Sequence, residues 1–204
     1  INRPAYNYKH LKFLSNSICS GGKQKYRIAE IGAGTGKLTK MLAKIGFKVF
    51  AVEPNDAMRT EGKKYTNDFD VIWSKGTGED TGLSSNYFDW AIMASSFHWT
   101  NPDLSVPEFY RILKSKRFLS IIWNPRNVQS SKLHTDIEKI IYHEIPNLDR
   151  KSSGMKSQTK NWENILTKSN QFGNVIYSEI SYKQPVSKDR YIKAWKSVND
   201  IRVQ

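Results

Sequence analysis

The stretch Glu30-Ile31-Gly32-Ala33-Gly34-Thr35-Gly36-Lys37 decides the fold. It follows a short apolar run at residues 26–31. It leads into Lys37–Ile45, where Leu38, Met41, Leu42 and Ile45 share one helical face and Gly46 supplies the stop. A strand that passes through glycines into a helix marks the place where an open parallel sheet receives a ligand. Glycine lets the backbone turn sharply and, lacking a Cβ, lets a ligand come close. Working outward, residues 47–52 read as a second strand, Asp56–Tyr65 as a helix and Val71–Ser74 as a third strand. Phe88–Ala94 is almost wholly apolar, as a strand covered on both faces must be. A helix at 107–113 and a fifth strand at 118–123 follow. Upstream, Tyr6, Leu11, Leu14 and Ile18 recur at helical spacing until Ser20-Gly21-Gly22 ends the pattern. Strands separated by helices imply right-handed crossovers and a parallel sheet. After Pro125 the rhythm changes: helical patterns at 137–145 and 162–169 flank a polar stretch at 149–159, then 175–182 reads as a strand and 188–198 as a helix. The region 130–170 has two readings, a helical cover over one end of the sheet or a segment that closes over a substrate.

Composition bounds the answer. With 204 residues, 38% hydrophobic and 25% charged, the chain has the make-up of one folded domain rather than a disordered segment. No run of 18 uncharged apolar residues exists, which excludes a transmembrane helix. Cys19 stands alone, so neither an internal disulfide nor a cysteine-based zinc site is available. His10, His134 and His143 lack metal-ligand spacing, and no metal is expected. The opening Ile1-Asn2-Arg3-Pro4 has no basic-then-apolar signal pattern, and a cytoplasmic protein is expected. It also lacks an initiating Met, so residues are expected to be missing at the start. The net charge is +13, from 32 basic and 19 acidic residues. Residues 1–102 carry 14 basic and 9 acidic side chains and 103–204 carry 18 and 10, without a block of five or six like charges. A solvated lysine-rich surface is favoured over a polyanion-binding face.

Three ligand classes use glycine loops, and spacing separates them. A P-loop needs four residues between its first glycine and Gly-Lys, then Ser or Thr; here three residues separate Gly32 from Gly36-Lys37 and Leu38 follows. A dinucleotide fingerprint needs Gly or Ala at its last place, which holds Lys37 in one register and Thr39 in the other. The pattern that fits is Glu-x-Gly-x-Gly-x-Gly.

That pattern resembles motif I of the class I S-adenosyl-L-methionine (SAM)-dependent methyltransferases. Val52-Glu53-Pro54-Asn55 ends the second strand, close to the ~20-residue distance at which a ribose-binding acid is expected, and an acid there suits two ribose hydroxyls. Gly76-Thr77-Gly78-Glu79-Asp80 follows the third strand, where the family reads adenine. Phe88–Ala94 with Ser95-Ser96-Phe97-His98-Trp99 resembles the fourth strand and active-site loop, and Arg111-Ile112-Leu113-Lys114 leads into the fifth strand. The resemblance runs from about residue 26 to 123. Phe97-His98-Trp99 and Arg3-Pro4-x-Tyr6 look like the type 11 branch, which includes trans-aconitate-type small-molecule enzymes.

The resemblance implies an α/β, Rossmann-like three-layer sandwich with a mostly parallel sheet. Residues 1–125 would form the SAM-binding core with its N-terminal helix. Residues 126–204 of the same domain would form a helical insertion or lid after strand five, plus strand six. Thr77 departs from the family's usual acid or small polar residue before Gly78, and no seventh strand follows residue 182, so the chain is expected to stop before the family's C-terminal strand. The implied cofactor site is Glu30, Gly32, Ala33, Gly34, Gly36, Glu53, Pro54, Thr77, Gly78, Glu79, Ala94 and Ser95, with S-adenosyl-L-homocysteine (SAH) as product.

Methyl transfer is an in-line displacement in which the cofactor carries the difficult chemistry and the protein orients it. His98 is the candidate base, since imidazole titrates near neutral pH, with a positional or shielding role beside Trp99 as the other reading. Arg3, Tyr6, Trp99 and Arg126 are candidate acceptor-binding residues; Arg126 suits a carboxylate. The expected acceptor is a small molecule. Ser95-Ser96-Phe97-His98 is not the Asn/Asp-Pro-Pro-aromatic string of base-amino methyltransferases, and Cys19 lies far from the place of a cytosine-5 nucleophile. The alternatives are an RNA-modifying methyltransferase using the basic surface, a SAM-binding module without catalysis, and, disfavoured by Lys37 and Thr39, a nicotinamide-dependent oxidoreductase. The oligomeric state is not legible.

Overall fold

A computed structural model describes residues 5–19, 21–125, 127, 131–148 and 161–196. Five strands, β1 (Arg27–Ile31), β2 (Lys48–Val52), β3 (Val71–Ser74), β4 (Phe88–Ala94) and β5 (Leu113–Ile122), form one parallel sheet in the order β3-β2-β1-β4-β5. Its register is set by pairs such as Glu30 with Ala51 and Ile92. Chain order reverses between β1 and β4, which opens the crevice used for ligands in such sheets. The helices are α1 (Tyr8–Ile18), α2 (Lys37–Ile45), α3 (Asp56–Tyr65), α4 (Pro102–Ile112), α5 (Lys132–Glu144), α6 (Trp162–Thr167) and α7 (Lys188–Lys196). This is the expected Rossmann-like architecture.

The central strands are covered on both faces, which is why they read as continuous apolar runs. Ile28, Ala29, Val49, Ala51, Trp90, Ala91 and Ile92 are sealed from solvent. Leu11 of α1, Cys19 just after it, and Leu38 and Leu42 from α2 close over Ile28, Val49 and Trp90, with Phe47 meeting Trp90 edge to face at 5.9 Å. At the strand ends away from the glycine loop, Asp89 is buried. It accepts from Arg27 N–H (3.0 Å) and Lys114 Nζ (2.8 Å), with Arg117 at 3.3 Å. Those partners explain an irregular β5. Leu113 pairs with Phe88, the register then shifts, and Phe118 pairs with Trp90, with Lys116 at a φ of 56° between them.

Two boundaries differ from the expectations. α4 begins at Pro102 rather than 107, because Asn101 caps it (Asp103 N–H to Asn101 Oδ1, 3.1 Å) and Pro102 occupies the first turn, leaving Pro107 inside the helix. Residues 175–182, expected as strand six, join no sheet among the described residues, and Ile176 and Tyr177 are 87% and 83% exposed. Alternating apolar residues supply strand propensity, but a strand needs a neighbouring edge to complete its ladder.

The described residues group into two compact units. One holds Ala5–Ile122 and Asn161–Tyr182; the other holds the described parts of Trp123–Lys160 and Lys183–Gln204. In the first, Trp162 of α6 packs against Phe97 (5.4 Å), and Lys168 pairs with Asp103 (2.9 Å). In the second, His134 of α5 stacks on Tyr191 of α7 (5.9 Å). No helix among the described residues is long and apolar enough to cross a membrane.

Candidate functional site

Parallel strands bring the loops after β1, β2, β3 and β4 to one end of the sheet. The first is the glycine loop, in which Gly32, Gly34 and Gly36 all take positive φ (69°, 58° and 78°). Gly32 has a steric reason as well. A Cβ there would lie 2.6 Å from Ser96 Oγ and 2.8 Å from Ser96 Cβ, because the residues after β4 back directly onto the loop. Ala33 N–H donates to Val52 O (3.0 Å), which ties the loop to the end of β2. Helices α1, α3, α4, α5 and α6 begin with an Asn or Ser whose side chain accepts a first-turn N–H; α2 begins at Gly36 without such a cap. The partial positive charge of the α2 N-terminus therefore faces the loop without a side-chain cap from Gly36.

Glu53, buried at the end of β2, reaches back to the same loop. Its Oε2 accepts from Gly34 N–H (2.8 Å) and its Oε1 from Asn55 N–H (3.0 Å). Each oxygen keeps a lone pair for a ligand hydroxyl. Arg59 Nη1 donates to Glu53 O (2.7 Å) and pairs with Asp56, which holds the turn containing exposed Pro54.

Glu30 stands at the end of β1, fully buried, with Oε2 lacking a hydrogen-bond partner. Desolvation pushes its carboxyl up to about 8; the nearby Thr39 hydroxyl works against this and the Glu53 charge adds to it. A buried acid with an unmet oxygen below a glycine loop has the chemistry to accept a hydrogen bond from a cationic or N–H-bearing group.

After β3 the chain makes a tight turn held by Thr77, whose N–H donates to Asp80 O (2.8 Å) and whose Oγ1 accepts from Asp80 N–H (3.1 Å). The departure at Thr77 is thus accommodated as a turn-forming hydroxyl. Gly78 is buried so closely that a Cβ would lie 2.5 Å from Thr100 Cγ2. Glu79 Oε1 accepts from Asn101 N–H (2.7 Å). Met93 Cε lies 3.4 Å from the Cβ position of Gly32 and 3.6 Å from that of Gly78, so one methyl group touches both loops. The far side of the β3 loop is pinned by Glu108 of α4. Glu108 accepts from Thr81 N–H (2.9 Å), Thr81 Oγ1 (2.5 Å) and Arg111 Nε (2.6 Å), while Arg111 also holds Ser85 Oγ and Leu83 O. Desolvation opposes the Glu108 charge, yet the hydrogen bonds from Arg111 and Thr81 hold its carboxyl below the usual range.

Half-buried Ala94 ends β4, and Ser95 then adopts a φ of 54° while its N–H still donates to Ile122 O (2.8 Å). Left-handed backbone at a non-glycine residue concentrates at functional sites. Ser95 Oγ accepts from Tyr6 Oη (3.0 Å), which fastens the N-terminal segment to the site end of β4. The single turn Phe97–Trp99 follows. Phe97 is buried and anchors it, His98 is half-buried, and Trp99 is 65% exposed with its ring 4.9 Å from that of His98.

The structure therefore places Glu30, Gly32, Ala33, Gly34, Gly36, Glu53 and Pro54 around one loop, with Thr77, Gly78 and Glu79 after β3, Ala94, Ser95, His98 and Trp99 at and after the end of β4, and Tyr6 bonded to Ser95. Arg3 and Arg126 lie outside the described residues. Ser96 and Met93, and the grip of Glu108 and Arg111 on Thr81 and Ser85, were not legible because their partners come from distant segments, while Arg59 acts within its own turn. Asn55 and Asn101 carried a local signal, each an Asn one residue before a helix opening with Asp or Pro-Asp.

Residues 29–121 match the family model of the methyltransferase domain. An uncharacterized methyltransferase of Mycobacterium tuberculosis is 34% identical over 101 residues, which are 50% of this chain and 41% of that protein. An uncharacterized methyltransferase-like protein of Schizosaccharomyces pombe is 33% identical over 105 residues, 49% of this chain and 39% of its own. The matched part thus spans about two fifths of these relatives' length. Among solved structures, the YcgJ protein of Bacillus subtilis is similar with a TM-score of 0.59 at 18% identity, covering 95% of this chain and 80% of that one. A Thermotoga maritima SAM-dependent methyltransferase, described as a possible histamine N-methyltransferase, gives 0.51 at 23%, covering 79% and 69%. The structural likenesses establish the fold. Within that fold, residues 29–121 are the part that matches the methyltransferase domain.

Proposed function

We propose that this chain is a SAM-dependent methyltransferase acting on a small-molecule acceptor of the type 11 kind. The observation that carries the reading is Glu53. Its carboxylate joins the end of β2 to the glycine loop through Gly34 N–H and retains acceptor capacity for a diol. Glu53 would hold the ribose, and the turn at Thr77, Gly78 and Glu79 would face the adenine. Glu30 and the uncapped start of α2, with Gly32, Ala33, Gly34 and Gly36, would meet the amino-acid end. Ala94 and Ser95 would complete the wall.

When bound, SAM supplies a methyl group on a sulfonium, an electrophile that needs alignment more than activation. The residues of this chain then have three tasks. The glycine loop and Glu53 fix the cofactor's position, and alignment of reacting atoms is worth up to ~7–11 kcal/mol. Tyr6 and Trp99 flank the acceptor side, with Tyr6 held by Ser95 and Trp99 offering an exposed ring. His98, half-buried beside Trp99, takes the acceptor's proton where the nucleophile must lose one, at its imidazole nitrogen. A small acceptor is supported by this aromatic pair and by the lack of the base-amino string at Ser95-Ser96-Phe97-His98.

Calorimetric titration with SAH, with NAD as control, tests the reading. Wild type is expected to bind SAH and not NAD, and Glu53→Ala is expected to lose about 1.5–3 kcal/mol, the scale of a lost charge-assisted hydrogen bond. No SAH binding, or binding unaffected by Glu53→Ala, overturns the proposal.

A further inference from the structure

We propose that Glu30 carries a proton in the ligand-free protein and releases it to solvent when the α-ammonium group of SAM or SAH enters the site, so that cofactor binding expels one proton. The inference rests on the SAM-binding reading above.

The geometry around Glu30 carries it. The pleat of β1 puts Glu30 on the same face as buried Ile28, and the register sets it between Ala51 of β2 and Ile92 of β4, neither of which can solvate a charge. Oε2 has no donor. The charged group that acts on the carboxyl is Glu53 at the end of β2, an anion, while α2 contributes the Thr39 hydroxyl. A sealed acid between apolar strand neighbours, with an unmet oxygen and a like-charged neighbour, is held in its neutral form against the opposing pull of one hydroxyl. Burial pushing the carboxyl up to about 8 agrees with this.

A ligand ammonium changes the balance. It supplies the missing donor and an opposite charge in a water-poor place. The Glu30 O–H bond then breaks, its electron pair stays on the carboxylate, the proton passes to the buffer, and the carboxylate accepts an N–H from the ligand. At pH 6.5, below the usual α-amino value of about 8, the ligand arrives already protonated, so the proton counted comes from the protein. As pH rises through about 8, Glu30 is ionised beforehand and the release fades.

The test is calorimetric titration of the whole chain with SAH at pH 6.5 in several buffers of different ionisation enthalpy; the slope of observed against buffer enthalpy counts protons. The expected slope corresponds to nearly one proton released. It should fall as the pH is raised through 8, and be near zero for Glu30→Gln and for 5′-methylthioadenosine, a thioether nucleoside without the amino-acid tail. A zero slope for wild type with SAH, or an equal slope with the tail-less nucleoside, overturns the inference even if Glu30→Gln fails to fold. Heat without a proton overturns this inference alone. No heat with SAH overturns the site reading and this inference with it.

Discussion

The glycine-loop end of the sheet and the helices after β5 solve the same problem, placing amphipathic elements, to very different depths. Around β1, β2 and β4 the apolar side chains are sealed, and the polar groups Glu53, Glu108 and Asp89 each have several partners. In α5 no residue is fully buried, Leu133 and Ile140 are 59% and 62% exposed, and α7 buries only Ala194. The difference teaches that one sequence feature, an apolar stripe at helical spacing, carries little information until something covers it. Where strands lie beneath it, each side chain has one allowed place. Where the stripe stays exposed, as in α5, it fixes a helix and little else.

Substitutions can break or sharpen that contrast. The largest effect is expected at Gly32→Ala, which combines a left-handed backbone with a Cβ 2.6 Å from Ser96 Oγ. A loss of about 2–5 kcal/mol in urea unfolding, together with loss of SAH binding, is anticipated. An unchanged midpoint would mean that the loop yields more readily than its packing implies.

Next is Glu108→Gln, which leaves Arg111 with a weaker partner and a crowded amide beside Thr81. Arg111 is partly exposed, so solvent screening reduces the cost to about 1–3 kcal/mol. Because hydrogen bonding from Arg111 and Thr81 holds the Glu108 carboxyl below its ordinary value, its contribution is present above the unfolded-state value of 4.5. It disappears as pH falls through the lower folded value. The gap in stability between wild type and variant should therefore narrow on acidification. A gap independent of pH would refute the electrostatic account.

The smallest effect belongs to the other region. Leu133→Ser and Ile140→Ser on α5 should each shift unfolding by no more than about 0.5 kcal/mol. A loss above about 1.5 kcal/mol would show that this face is covered in solution and that the contrast is overstated.

The glycine-loop half of the candidate site was legible because its requirements are local. Gly32, Gly34 and Gly36 are demanded by backbone geometry within five residues, and Glu53 lies one strand and one helix further on. The contacts that place the segment after β4 were not, because Tyr6 meets Ser95 across 89 positions and Trp162 meets Phe97 across 65. The start of α4 departs from the expected Pro107 for a smaller reason: Asn101-Pro102 is the stronger start signal.

By itself, then, the sequence determined the order of the five strands and the helices between them, the parallel sheet and the glycine loop at its end. Each of these follows from side-chain period and glycine spacing over a few residues. Only the tertiary structure decided that Glu30 is sealed beneath that loop with an unmet oxygen, that Glu53 grips Gly34, and that residues 175–182 join no sheet. Burial and pairing depend on which distant segment arrives to cover a group, and no local pattern encodes that arrival.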